Sequence, residues 1–194
     1  MAPAGQKVFL DRDECLEFAI GKIGKVLGEK FAPIDNYSTR VRLPAEPLML
    51  VDRIISVEGE PLSLGSGRIV TEHDVVPGMW YLDGNRAPVF ISVEAGQADL
   101  FLCSWLGIDF KAQGKRVYRL LDANVTFHRG LPQPGETIHY DIRIKRFINQ
   151  GDTWLFFFEY EGTINGQIFL TMRDGCAGFF TQQEIRNNGG KSPR

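Results

Sequence analysis

The stretch PVFISVEAGQADLFLCSWLG, residues 88–107, decides how the rest of this sequence is interpreted. At about 100° per residue, it places apolar side chains on nearly every side of a helix. Roughly 20 consecutive apolar residues are needed to span a bilayer, and Glu94, Gln97, Asp99 and Ser104 interrupt this run. The pattern therefore predicts one continuous buried helix at the centre of the fold, and no membrane span.

Length and composition fit one globular domain. The chain has 194 residues, of which 43% are hydrophobic and 24% charged, and this is an ordinary globular balance. The formal net charge of -2 argues against nucleic-acid binding, because phosphate contacts need a basic surface. No metal-ligand spacing and no glycine-rich phosphate loop occur, so we expect no metal and no cofactor. The three cysteines form no CxxC pair, which favours the reducing cytoplasm.

An amphipathic helix is predicted near the amino end. Apolar residues recur at helical spacing from Leu16 to Leu27, and Gly28 fits the carboxyl end of such a helix. Residues 30–47 are predicted to be an extended connector. We therefore divide the chain into a helix and connector at 1–40, a main domain at 41–185, and a polar tail or linker at 186–194.

Six strands are predicted around the central helix. Two precede it, at residues 48–60 and 66–75, and four follow it, at 118–131, 136–150, 152–164 and 167–181. Turn sequences separate the last four strands at hairpin spacing. These four are therefore expected to form an antiparallel meander.

A helix that is apolar on all sides needs a curved sheet around it, because a flat sheet covers only one face. We therefore predict an α+β hotdog fold, in which a curved antiparallel sheet wraps the central helix and the amino-terminal helix packs outside the sheet. Such a sheet leaves edge strands exposed. We expect pairing with a second copy of the chain or with a second hotdog domain.

Several segments resemble the β-hydroxyacyl-acyl-carrier-protein dehydratases. They are LPAEPLMLVDRI, HDVVPGMWYLDG, Pro88-Val89, Gln97 within the helix, the closing SWLG, and the turn FHRGLPQPGE. The sequence is still more similar to the dehydratase regions of bacterial polyunsaturated fatty acid synthases, because that likeness includes the helix FAIGKIGKVLG and the connector RVRLP. The resemblance covers roughly residues 9–184.

The resemblance implies elimination of water from a β-hydroxyacyl thioester carried by acyl carrier protein. In that family a histidine removes the α-proton, a helix-borne acid helps the hydroxyl leave, and N–H groups at the helix start polarise the thioester carbonyl. It implies that Glu94 is the acid and that Gln97, Pro88, Val89 and Phe90 contact substrate. Glu94 and Gln97 are three residues apart, whereas the acid and glutamine of relatives are usually four apart.

The family's base is missing from its expected position. Active members carry the histidine just before the helix, followed by proline and a Met-Pro-Gly turn. Here Asp83-Gly84-Asn85 and Phe90-Ile91-Ser92 occupy those places. His73, His128 and His139 all lie elsewhere, and each is predicted to be structural or at the surface. His128 is the least improbable substitute base.

We interpret the chain as a degenerate dehydratase half that supports a catalytic hotdog partner, with Glu94 completing a site whose histidine lies on that partner. One alternative is an active β-hydroxyacyl dehydratase. A second is a non-catalytic acyl-binding or scaffolding module. Asp99 is predicted to lie on the opposite side of the helix from Glu94 and to matter little. Two groups of basic residues are predicted to be solvated, with a docking patch for acyl carrier protein as a minority interpretation: Lys111, Lys115 and Arg116 after the helix, and Arg143, Lys145 and Arg146 along a strand.

Overall fold

The computed structural model describes residues 8–151 and 153–188. Its helices are α1 (Arg12–Ile20), α2 (Ile23–Leu27), α3 (Val89–Glu94), α4 (Asp99–Trp105), α5 (Asp109–Ala112) and α6 (Gln182–Asn188), with a 3-10 helix at Glu29–Asn36. Its strands are β1 (Arg53–Glu58), β2 (Gly67–Asp74), β3 (Val117–Phe127), β4 (Thr137–Gln150), β5 (Thr153–Ile164) and β6 (Gln167–Phe180). The predicted order of two strands, a helical centre and four strands is confirmed. Residues 189–194 of the predicted tail lie outside the described residues.

The six strands form one antiparallel sheet in the order β1-β2-β4-β5-β6-β3. β4, β5 and β6 form a meander as predicted, but β3 lies at the far edge, where Val117 pairs with Phe180. The predicted meander of four strands is therefore wrong for β3. The segment between β3 and β4 contains Pro132 and Pro134, which lack the N–H groups of a hairpin ladder. Instead β2 pairs along its whole length with the first part of β4, from Thr137 to Ile144.

The helical centre lies against this sheet, which confirms the α+β hotdog fold. α4 contacts β2 and β4. Leu102 of α4, and Leu106 just after it, approach Gly67 at the start of β2 so closely that a Cβ there would stand 3.0 Å from Leu102. Glycine at this position thus lets the helix lie close to the sheet.

The amino-terminal unit covers another side of the same helix. Phe18 of α1 lies 4.7 Å from Phe101, measured between ring centroids, and Phe31 stacks on Trp105 at 5.8 Å. The amino-terminal unit therefore packs directly on α4, whereas the sequence analysis predicted that its helix packs outside the sheet. The predicted single helix from Leu16 to Leu27 is also two helices, and the predicted connector contains a 3-10 helix.

The predicted continuous helix is broken at residues 95–98. The Tyr140 hydroxyl donates to the Ser92 carbonyl at 2.6 Å, and the Gly96 N–H donates to Val93, three residues back, at 3.1 Å. Tyr160 also donates to the Val93 carbonyl, at 3.1 Å. Because the sheet tyrosines bind these carbonyl groups, α3 ends at Glu94 and a new helix starts at Asp99.

The two sheet edges differ. The outer side of β1 is partly covered, because the N–H groups of Phe9 and Leu10 donate to the Ile54 carbonyl. β3 instead presents exposed apolar side chains at Leu120 and Leu121. Within the described residues, no helix combines the length and hydropathy that crossing a bilayer would require.

Candidate functional site

Three of the four predicted substrate-binding residues, Pro88, Val89 and Phe90, lie at the start of α3. Pro88 is the residue before the helix, and its carbonyl accepts hydrogen bonds from the backbone N–H and the hydroxyl of Ser92 at 3.1 and 3.2 Å. Val89 and Phe90 are 51% and 53% exposed. The structure therefore places these three residues together at the surface, where a ligand or a partner domain can cover them.

Glu94 is the last residue of α3 and is partly buried. The sequence placed it near the amino end of one long helix, where the dipole favours a negative charge. The helix break reverses this relation, because the carboxyl end of a helix carries partial negative charge. Burial raises the pKa of Glu94. Gln97 Nε2 donates to Glu94 Oε1 at 3.2 Å, so the structure brings these two predicted residues together.

Asp99 is the group that the sequence interpretation missed. It is the first residue of α4, it is 0% exposed, and neither carboxylate oxygen has a hydrogen-bond partner among the described residues. Burial raises its pKa to about 7, the nearby charge of Glu94 acts in the same direction, and the N–H groups of residues 99 and 100 oppose it. A carboxyl group with this pKa is able to give or take a proton near neutral pH.

Asp99 also acts on Tyr118 of β3. The Tyr118 hydroxyl is buried without a hydrogen-bond partner among the described residues. Burial raises the pKa of this phenol, and the charge of Asp99 raises it further. Buried unsatisfied polar groups are rare in native proteins and mark sites of chemistry, bound water or ligand. The sequence signal for this site was an acid in a mostly apolar run. It was overlooked because a continuous helix places Asp99 on the opposite side from Glu94.

His73 is buried in a polar chain that anchors the loop before α3. It is 1% exposed, its Nδ1 lies 2.9 Å from Asp52 Oδ2, and its Nε2 lies 2.8 Å from the Tyr81 hydroxyl. Burial, followed by the charge of Asp52, raises the pKa of Tyr81 to about 12. Both ring nitrogens are thus engaged inside the fold, and His73 holds the segment that leads into the helix.

The other two histidines lie away from α3. His128 is exposed, with Nε2 3.0 Å from Thr171 Oγ1, and His139 Nδ1 lies 3.2 Å from Glu72 Oε1. Among the described residues, no hydrogen bond or ring contact joins a histidine to Glu94, Gln97 or Asp99. The expected histidine position is a tight turn in which Asp83 and Arg86 exchange backbone hydrogen bonds at 3.0 Å.

The basic residues of β4 are engaged on the sheet surface. Arg143 lies 2.8 Å from Asp141 and Lys145 lies 2.6 Å from Glu159, while the Arg146 guanidinium stands 4.7 Å from the centre of the Phe157 ring. These partners neutralise much of the proposed patch. In the part of the chain that the structure describes, no three His, Cys, Asp or Glu side chains are grouped as metal ligands.

Comparison with known proteins identifies a family and a relative of this chain. Residues 43–173 match the model of the FabA-like domain. The chain is 48% identical over 185 residues to one of the subunits of a polyunsaturated fatty acid synthase from Thraustochytrium sp., and the match covers 94% of this chain and 12% of that protein. The chain thus spans only a small part of that relative's length.

A solved structure gives an independent comparison. The dehydratase heterocomplex ApeI:P from Xenorhabdus doucetiae superposes with a TM-score of 0.51 and 16% sequence identity, over 81% of this chain and 97% of that chain. At this identity the likeness shows the fold alone.

Proposed function

Since this chain belongs to the FabA-like domain family, we propose that it is a dehydratase-like hotdog domain of fatty acid or polyunsaturated fatty acid synthesis that supports a catalytic hotdog partner. The synthase polypeptide that is 48% identical to it supports this biosynthetic setting. The substrate would be a β-hydroxyacyl thioester on acyl carrier protein. The compartment would be the cytoplasm, which the three free cysteines fit.

The observation that carries the proposal is a pair of acids that no histidine of the described residues contacts. Elimination of water needs one group to remove the α-proton and another to protonate the departing hydroxyl. Glu94 and Asp99 supply carboxyl groups at the helix break. Among the described residues, His73 is buried between Asp52 and Tyr81, and His128 lies on another part of the sheet. The histidine is therefore assigned to the partner domain, and Glu94 is the acid that completes its site.

The exposed edge of β3 supports a partner at this side of the sheet. Leu120 is 42% exposed and Leu121 is 53% exposed. Exposed apolar edge strands template further pairing unless another chain covers them. A second hotdog domain, in the same polypeptide or in a separate one, would extend the sheet and bury these side chains. The dehydratase heterocomplex with the same fold is a precedent for two unlike halves.

The test is Glu94→Gln in this chain assembled with its partner hotdog, assayed on a β-hydroxyacyl thioester. Loss of a general acid typically costs about 10² to 10⁴-fold in rate, and we expect kcat to fall in that range while circular dichroism stays unchanged. Glu60→Gln is the matched control, because Glu60 is exposed in the loop between β1 and β2. Full turnover by Glu94→Gln would contradict the role of Glu94 and favour a scaffolding module.

A further inference from the structure

A cavity of about 220 Å³ lies between the connector, α4, α5 and the start of β3. Three arginines and one aspartate supply the charged groups that line it: Arg40, Arg42, Arg116 and Asp109. Its remaining walls are mostly apolar, with Leu100, Val117 and Phe179 among them. The cavity is smaller than the sites that hold drug-sized ligands, which are about 300 to 1,000 Å³. It combines an apolar wall with three positive charges against one negative charge.

Arg40 is a buried cation without a carboxylate partner. It is 9% exposed, and its guanidinium donates to the carbonyl groups of Phe18, Gly21 and Val41 at 2.6, 3.0 and 3.0 Å. Two of these carbonyls lie at the end of α1, where the helix dipole is partly negative. No described carboxylate lies within salt-bridge distance of Arg40. Buried charges in proteins are normally paired, and here Asp109 and Asp35 act on the guanidinium without a direct ion pair.

The one acidic wall residue is already engaged. Asp109 accepts from the Ser104 hydroxyl at 2.6 Å and from the Val41 N–H at 2.8 Å. Arg116 lies 3.6 Å from Glu184, on α6. The hydroxyl of Tyr118, another wall residue, lies under the influence of the charges of Asp99 and Glu94, so it belongs with those acids. The three guanidinium groups still give the walls more donors than the carboxylate of Asp109 can accept from.

The pKa of Arg40 is lowered to about 10, mainly by burial and then by the neighbouring charge of Arg42, while the charges of Asp109 and Asp35 oppose this shift. An anion in the cavity would also oppose it, because opposite charges favour the ionised form.

From the cavity, its excess of donors and its apolar wall, we infer that it is a binding site for a small oxyanion with an apolar tail, either a carboxylate or a phosphate monoester. The guanidinium groups of Arg40 and Arg42 bind the oxyanion, and Leu100 and Val117 contact the tail. Among the described residues, no hydrogen bond or ion pair joins Arg40 or Arg42 to Glu94, and the inference does not depend on the proposed dehydratase role.

Calorimetric titration of the 194-residue chain with hexanoate, hexyl phosphate, inorganic phosphate and 1-hexanol tests the inference. Hexanoate or hexyl phosphate should bind more tightly than hexanol, and more weakly as salt is added. Arg42→Gln should weaken that binding about tenfold or more, because a charge-assisted hydrogen bond is lost. Arg42 is exposed and makes one carbonyl contact, so the variant should fold. Arg143→Gln, with the same charge change on the far sheet surface, is the matched control.

Ala112→Leu tests whether binding depends on the space in the cavity as well as on charge. Ala112 is 6% exposed and lines the cavity, so a larger side chain should fill the space and weaken hexanoate binding without changing the net charge. Binding of inorganic phosphate as tightly as of hexyl phosphate would overturn the tail contact. Three results would overturn the site. The first is equal binding of hexanol and hexanoate, and the second is an equal loss of binding in Arg42→Gln and Arg143→Gln. The third is no oxyanion binding at 10 mM, which is about 100 times a Kd of 0.1 mM.

Discussion

Glu94 and Asp99 stand on either side of the helix break, and they differ in almost every physical respect. Glu94 ends α3, is partly buried and accepts a hydrogen bond from Gln97. Asp99 begins α4, is fully buried and has no hydrogen-bond partner among the described residues. Helix position alone would favour the charged form of Asp99 and disfavour that of Glu94. Burial outweighs the dipole at Asp99, whose pKa rises to about 7.

The two acids are therefore suited to different roles. Glu94 is close enough to the surface to meet substrate from a partner, whereas Asp99 lies beneath it and its pKa responds to the charge of Glu94. Ionisation of one acid therefore disfavours ionisation of the other. Substitution of Asp99 should therefore have a larger effect on stability than disturbance of the helix break.

Asp99→Asn should change how stability depends on pH. The folded-state pKa of about 7 lies above the usual 3.8, so the folded state binds more protons between these values. The contribution of Asp99 to the free energy of unfolding is thus fully present below pH 4. It falls by about 4 kcal/mol as pH rises toward 7. Urea unfolding from pH 4 to 8 should show this fall in the wild type and a flatter curve in Asp99→Asn. Glu94→Gln should keep most of the fall, and identical curves for Asp99→Asn and wild type would contradict the burial argument.

Gly96→Ala should disturb the break itself. A Cβ at this position would stand 2.7 Å from Tyr160 Cζ and 3.1 Å from Tyr140 Cε1. Overpacking of this kind costs about 2 kcal/mol, and the measurement is urea denaturation. Gly166→Ala in the β5–β6 turn is a useful comparison, because its φ of 75° makes that change costly through backbone strain and not through packing. A stabilised Gly96→Ala would show that a continuous helix is accessible after all.

Tyr140→Phe should have the smallest effect of the three. It removes one hydrogen bond, from the Tyr140 hydroxyl to the Ser92 carbonyl at 2.6 Å, and such a bond is worth about 1 kcal/mol. Thermal melts compared with Tyr37→Phe, a residue of the connector, measure the difference. A loss no greater than in that control would mean that the tyrosine does not hold the end of α3.

The strands were predictable because their burial alternates. In β5 every second residue from Phe156 to Ile164 is buried, and this period appears directly in the sequence. The position of β3 at the far edge was not predictable, since the turn after it resembles a hairpin turn and only the pairing of β2 with β4 excludes that arrangement.

The candidate site was predictable in part. Resemblance directed attention to Glu94 and Gln97, which do lie in contact, and the departure from the family's histidine pattern was visible in the sequence. Asp99 was predicted to matter little, because a continuous helix was assumed. The break in that helix depends on Tyr140 and Tyr160, which are more than 40 residues away along the chain and act through hydrogen bonds to backbone carbonyls. Local patterns carry no information on such contacts.

In the proposed function this chain lacks its own proton-abstracting base, and dehydration of a β-hydroxyacyl thioester by the 194-residue chain alone tests this most directly. Without the base, turnover should be at least about 10² to 10⁴-fold below that of the same chain assembled with its hotdog partner. Comparable turnover by the chain alone would contradict the account, and loss of that activity in His128→Ala would identify the base that it overlooked.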